Sequence, residues 1–166
     1  MSNPWEQSVA TPMSNQSRIR VQSEPFDVGA IIEELRAGNA AIGAIASFIG
    51  LVRDVNDHAP VTTMTLEHYP GMTEKALQGI VSEAQQRWDL LGVSVVHRVG
   101  ALRPTDPIVL VAVASAHRGD AFQACEFIMD FLKTRAPFWK KEENSQQARW
   151  VESRASDDRA AERWKT

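Results

Sequence analysis

A chain of 166 residues, 43% hydrophobic and 23% charged, carries enough apolar material for one core and is too short for two full-size domains. Eighteen Lys and Arg against twenty-one Asp and Glu give a net charge of −3, which argues against a protein that coats nucleic acid as a whole. A single cysteine, Cys125, excludes an intrachain disulfide and a thiolate metal cluster, and no run approaches the ~18 apolar residues of a membrane span. The opening MSNPWEQSVATPMSNQS has neither a basic leader nor an apolar stretch, so a reducing cytoplasm is the expected setting.

Residues 1–17 are rich in Ser, Asn, Gln and Pro without an apolar period and read as a flexible tail, leaving 18–166 as a single domain. Asp27 caps a short helix with Val28, Ile31, Ile32 and Leu35 at helical spacing and Gly38 as its stop. AAIGAIASFIGLV (40–52) reads as a long buried strand ending at Arg53. Turn residues Asp54, Asn56, Asp57 and Pro60 then lead into VTTMTLEHY (61–69), and the two segments are expected to pair as a hairpin or long β-arm.

Thr73 is the expected cap of a second helix whose stripe is Ala76, Leu77, Ile80, Val81, Ala84 and Trp88. Strands VSVVHRV (93–99) and PIVLVAVASA (107–116) follow, separated by a turn at Arg103–Asp106. A third helix runs from about Gly119 to Thr134, with Ala121, Phe122, Cys125, Ile128, Met129 and Leu132 inward, and Pro137 prevents its continuation. After a polar loop (142–148), RWVESR (149–154) reads as a short strand and Ser156 as the cap of a terminal helix. The order α-β-β-α-β-β-α predicts an α+β fold, a largely antiparallel sheet with helices packed on it.

No phosphate loop, dinucleotide fingerprint, paired-histidine metal motif or calcium loop is present, and His58, His68, His97 and His117 lack ligand spacing. No metal is expected. Cys125 shares a helical face with Ala121, Ile128 and Leu132 and reads as a small core residue, so any sulfur handled here arrives on another molecule.

Two segments suit anions. SAHRGDAF (115–122) places His117 and Arg118 at a helix N-terminus, where free amides and the dipole attract phosphate or carboxylate; a capping His beside a surface Arg is the structural alternative. KTRAPFWKK (133–141) holds Lys133, Arg135, Lys140 and Lys141 without an acid. The helix dipole accounts for one cation there, but crowding all of them costs energy unless something negative lies between. A lysine among cations also titrates below its reference value, which suits it to proton transfer or nucleophilic work. Phe138 and Trp139 read as wedges into the core, as a wall that dries a pocket, or as stacking surfaces for nucleobases, the last opposed by the overall acidity.

The runs LEHYPGMTEKAL (66–77), SAHRGDAF (115–122), FIMDFLKTRAPFWKKE (127–142) and RWVESR (149–154) closely resemble the catalytic large subunit of molybdopterin synthase, over about residue 26 to the C-terminus. The resemblance implies an α/β hammerhead fold, a homodimeric core and a heterotetramer with a small ubiquitin-like subunit. The implied activity is sulfur transfer in molybdenum cofactor biosynthesis. The small subunit's C-terminal Gly-Gly thiocarboxylate supplies the sulfur that turns cyclic pyranopterin monophosphate into molybdopterin, two tails per product, with no other cofactor.

It further implies that Lys133 is the central catalytic residue and Lys140 its assistant, and that Arg53, His117 and Arg118 bind substrate. Leu51, Val52, Lys141, Glu142 and Arg154 are implied as further binding positions, and Phe48, Met129 and Phe138 are expected to wall the pocket. Some relatives carry lysine where this chain has Leu51, so contact at that position is expected through backbone.

Arg118 and Lys133 lie fifteen residues apart on one expected helix, roughly 22 Å at about 1.5 Å per residue. If both serve one small substrate, His117 and Arg118 must come from a second subunit. The alternative function is a noncatalytic module that captures a ubiquitin-like Gly-Gly tail in a groove or on a sheet edge.

Overall fold

The computed structural model describes residues 16–152 and 154–165. In chain order its elements are β1 (Gln16–Gln22), α1 (Val28–Arg36), β2 (Ala44–Leu51), β3 (Val55–Asn56), β4 (Ala59–Pro60), β5 (Thr63–His68) and α2 (Met72–Arg87). They continue with β6 (Leu90–Arg98), β7 (Gly100–Leu102), β8 (Pro107–Ser115), α3 (Arg118–Arg135), β9 (Phe138–Glu143), β10 (Ala148–Val151) and α4 (Ala155–Glu162). The fold is α+β, as the sequence predicts.

One four-stranded sheet has the order β1-β6-β8-β2, antiparallel except for the parallel β1–β6 pair. Its middle strands are near-continuous apolar runs because helices cover both faces. Val109, Val111 and Val113 point to the α2–α3 side, where Leu77, Ile80, Phe127 and Ile128 complete the main core. Their alternates Leu110 and Ala112, with Val96, meet Ile31 of α1 on the opposite face.

The second sheet, β10-β9-β5-β7, is antiparallel throughout and packs a smaller core of Val52, Met64, Leu66 and Leu102. Ile108 touches both cores and so marks the seam between the sheets.

The structure revises several expectations. Segments 40–52 and 61–69 do not pair: β2 lies against β8, with Phe48 opposite Val111, while β5 lies between β7 and β9. The intervening residues make their own small hairpin, β3–β4, turned by Asp57 and His58 at φ 49° and 63°, and this sends the chain into the other sheet. β2 is an edge strand, with Phe48, Ile49 and Leu51 exposed rather than buried.

The segment read as a polar loop from 142 is in part β9. Trp139 and Lys141 sit on one face of it, and the half-buried Lys140 and buried Glu142 on the other. β1 begins at Gln16, inside the segment read as tail; residues 1–15 of that tail lie outside the described residues.

Two caps also move. Gly71, at φ 85°, is the N-cap of α2, and its N–H donates to the Glu74 carboxylate at 2.6 Å. Thr73 sits inside the first turn, where its hydroxyl accepts from the Tyr69 N–H and donates to the Pro137 carbonyl, tying α2 to the entry of β9. Arg154, not Ser156, caps α4.

Candidate active site

The seam between the sheets opens into a cavity of about 540 Å³ closed by the last turn of α3. Four cations reach it from four separate stretches: Arg53 after β2, Lys133 near the end of α3, Lys140 on β9 and Arg154 before α4. Phe48, Leu51, Phe138 and Glu142 line it as well.

Alternation along β9 explains which of its residues arrive. Phe138, Lys140 and Glu142 share the cavity face, whereas Lys141 points away, opposite Trp150, and its ammonium pairs with Glu143 at 3.2 Å. Lys141 is therefore not part of the cavity.

The cations of the KTR run also divide. Arg135 makes a two-pronged bond to Glu83 of α2 at 2.9 and 3.0 Å and lies 4.9 Å above the Phe131 ring, so it fastens helix to helix. Lys133, two residues earlier and so on the opposite side of the helix, has no ion pair among the described residues and lines the cavity.

Crowded cations set the protonation. Burial, then the Lys133 charge, pushes the Lys140 ammonium below its usual value; Arg154 and Arg53 add to this, and Glu142 opposes it. Next to Lys140 sits His97, buried at 5% exposure and stacked on Phe138 with centroids 3.8 Å apart. Its Nδ1 lies 2.8 Å from the Arg98 carbonyl and must donate there, which leaves Nε2 as the acceptor of a neutral ring. Burial, reinforced by Lys133, Lys140 and His68, pushes its pKa down to about 4. Phe138 is thus held by an imidazole rather than displayed for a nucleobase.

Asn56 at the end of β3 joins the charges. Its Nδ2 donates to both Glu142 oxygens at 2.9 and 3.0 Å, and its Oδ1 accepts from Arg53 at 3.3 Å and from Arg154. Sequence reasoning assigned neither Asn56 nor His97 to the site. An Asn in a turn-rich stretch and one His in an apolar strand carry no local signal.

Four further expected positions lie elsewhere. Val52 is 3% exposed in the second core, and its backbone is committed to Asp106 and Thr105 at 2.9 and 2.8 Å. Met129 faces the main core beneath α3. His117 caps α3 and Arg118 begins it; both are exposed and neither lines the cavity.

Because α3 is one unbroken helix, Arg118 and Lys133 stand at its opposite ends. Cys125 is buried, with its thiol pushed up to about 11 and its Sγ 3.7 Å from the Val111 carbonyl, a packing residue. Among the described residues no cluster of three or more His, Cys, Asp or Glu side chains is placed to hold a metal, and no helix is long and apolar enough to cross a membrane.

Fold and cavity together define a class: an α+β protein with two sheets and a cationic hollow at their seam, able to hold anions against a lysine of lowered basicity, Lys140. The family follows from comparison. A family model described as MoaE protein matches residues 21–135. The chain is 66% identical over 146 residues to the molybdopterin synthase catalytic subunit of Ralstonia nicotianae, covering 88% of this chain and 83% of that protein. It superposes on the MoaE protein of Burkholderia ambifaria with a TM-score of 0.78 at 53% identity, over 91% of this chain and 99% of that one. The crystal structure of molybdopterin synthase from Staphylococcus aureus is similar at a TM-score of 0.74 and 33% identity, over 80% and 95% of the two chains. This chain belongs to the MoaE family.

Proposed function

We propose that the chain is the catalytic subunit of a molybdopterin synthase, transferring sulfur from the C-terminal thiocarboxylate of a small ubiquitin-like subunit to cyclic pyranopterin monophosphate. The carrying observation is the meeting of Arg53, Lys133, Lys140 and Arg154 in one cavity. Both reactants are anions. Cations fixed before the reaction offset their repulsion and steady the oxyanion formed at the attacked carbonyl.

Arg53 and Arg154 present planar guanidiniums suited to the phosphate. Lys133, without a carboxylate partner, steadies or transiently engages the reacting carbonyl or pterin carbon, and Lys140 moves the proton. The Glu142 charge works against the lowering of the Lys140 pKa. The sulfur comes with the donor tail, consistent with the inert Cys125, so no separate cofactor takes part, and the cytoplasm is the fitting compartment.

His117 and Arg118 join a cavity only from a second copy of the chain, because α3 carries them away from their own Lys133. The working assembly is then a homodimer flanked by two small subunits.

Single-turnover sulfur transfer from purified thiocarboxylated small subunit tests the reading: Lys133→Ala should slow molybdopterin formation by roughly 10²-fold or more, and normal turnover would overturn it. Mixing Arg118→Ala with Lys133→Ala subunits should restore part of the activity in heterodimers. No recovery despite demonstrated subunit exchange would remove the shared-site arrangement.

A further inference from the structure

Asn56 is the residue around which the cavity's charges are organised. The residue is 6% exposed, and its amide has one workable orientation. Turned over, it would set N–H donors against the guanidiniums of Arg53 and Arg154 and an oxygen against the Glu142 carboxylate.

The backbone beneath it is equally constrained. Asn56 pairs with Ala59 across the two-residue turn, and its carbonyl accepts from Arg149 at 3.3 Å. Arg149 also reaches Glu142 at 3.5 Å, and Arg154 reaches Asp57 at 3.6 Å. Arg53, Arg149, Arg154 and Glu142 are thus each tied to Asn56.

We infer that Asn56 is a positioning residue that keeps Arg53 and Arg154 at one spacing and open to a phosphate. A neutral amide separates these guanidiniums from the buried Glu142. Were it absent, the carboxylate, already within 3.5 Å of Arg149, would be open to Arg53 and Arg154 as well, and direct salt bridges would occupy the donors a phosphate needs. An aspartate at position 56 would do the same from closer range while repelling Glu142. The two arginines come from distant stretches of the chain, one after β2 and one before α4, so no local backbone feature can fix their separation; a side chain bonded to both can.

The inference rests on reading Arg53 and Arg154 as phosphate ligands, and its test separates the two ideas. KM and kcat for cyclic pyranopterin monophosphate are measured on the reconstituted synthase, alongside melting temperatures, for Arg53→Ala, Asn56→Ala, Asn56→Asp and the double variant Asn56→Asp/Glu142→Gln. Asn56→Ala and Asn56→Asp should each raise KM about tenfold, the value of one lost charge-assisted hydrogen bond, with kcat held. The double variant rebuilds the chain of bonds, with an Asp oxygen facing the arginines and the Gln amide donating to the other oxygen. It should recover most of the lost KM.

An unchanged KM in Asn56→Ala while Arg53→Ala raises it would overturn the positioning role alone. So would a loss confined to kcat, or a loss in Asn56→Asp that the double variant leaves uncorrected. An unchanged KM in Arg53→Ala would remove the phosphate reading, and the positioning role with it.

Discussion

Lys133 and Arg135 leave the last turn of α3 in different directions, Arg135 to a two-pronged bond with Glu83 at 2.9 and 3.0 Å and Lys133 into the cavity. Two adjacent cations of one motif thus carry separate duties, one fastening α3 to α2 and one serving chemistry.

Arg135→Ala should lower stability by about 1 kcal/mol, an upper value for a half-exposed pair, and leave sulfur transfer intact. Lys133→Ala should do the reverse, with an unchanged melting temperature and a rate reduced by roughly 10²-fold or more, since a positioned charge in the transition state is lost. Urea unfolding and single-turnover assays on the two variants check the division. Equal activity loss in both would contradict it.

The buried His97 makes the fold sensitive to acid. Its pKa falls from an ordinary 6.5 to about 4 on folding, so the unfolded chain binds the extra proton in that interval. Its contribution is complete above pH 6.5 and is lost as pH falls toward 4, on the order of 3 kcal/mol at most. His97→Phe should flatten the pH dependence of unfolding free energy across that window. An unaltered slope would show that the ring is charged in the native state.

Lys140 titrates low because it is buried and next to Lys133, Arg154 and Arg53. Removing Lys133 should raise its pKa and Glu142→Gln should lower it further. Reaction of Lys140 with an amine-selective acylating reagent, followed against pH by peptide mass spectrometry, reads both shifts. Identical profiles in all three proteins would mean these charges do not set its protonation.

Cys125 should resist a thiol-specific disulfide reagent until the protein unfolds, because burial holds the thiol protonated up to about pH 11. Cys125→Ala should retain full sulfur transfer, measured with thiocarboxylated donor. Loss of transfer without loss of folding would assign the thiol a chemical role that its surroundings deny.

Local periodicity and capping made the helices legible: α1 begins after Asp27 as expected, and α3 runs between His117 and Ala136, close to the expected span. The apolar runs β6 and β8 were equally plain, because burial on both faces leaves few polar positions to blur them. The runs around Lys133 and Arg118 likewise displayed the family and most of the cations.

Tertiary structure alone decided the rest. Strand partners are chosen by contacts between distant segments, so β2 could be recognised as a strand while its pairing with β8 instead of β5 could not. β9 went unrecognised, its last residues read as loop, because its inward face carries Lys140 and Glu142, charges that a cavity, not a core, requires. Asn56 gained its place from side chains of β9 and the stretch before α4, and His97 from Phe138 and the lysines around it. Their chemistry is set by neighbours far away in the chain. Short-range patterning reports what each segment can become, whereas charge placement inside a cavity is settled only when the sheets close on each other.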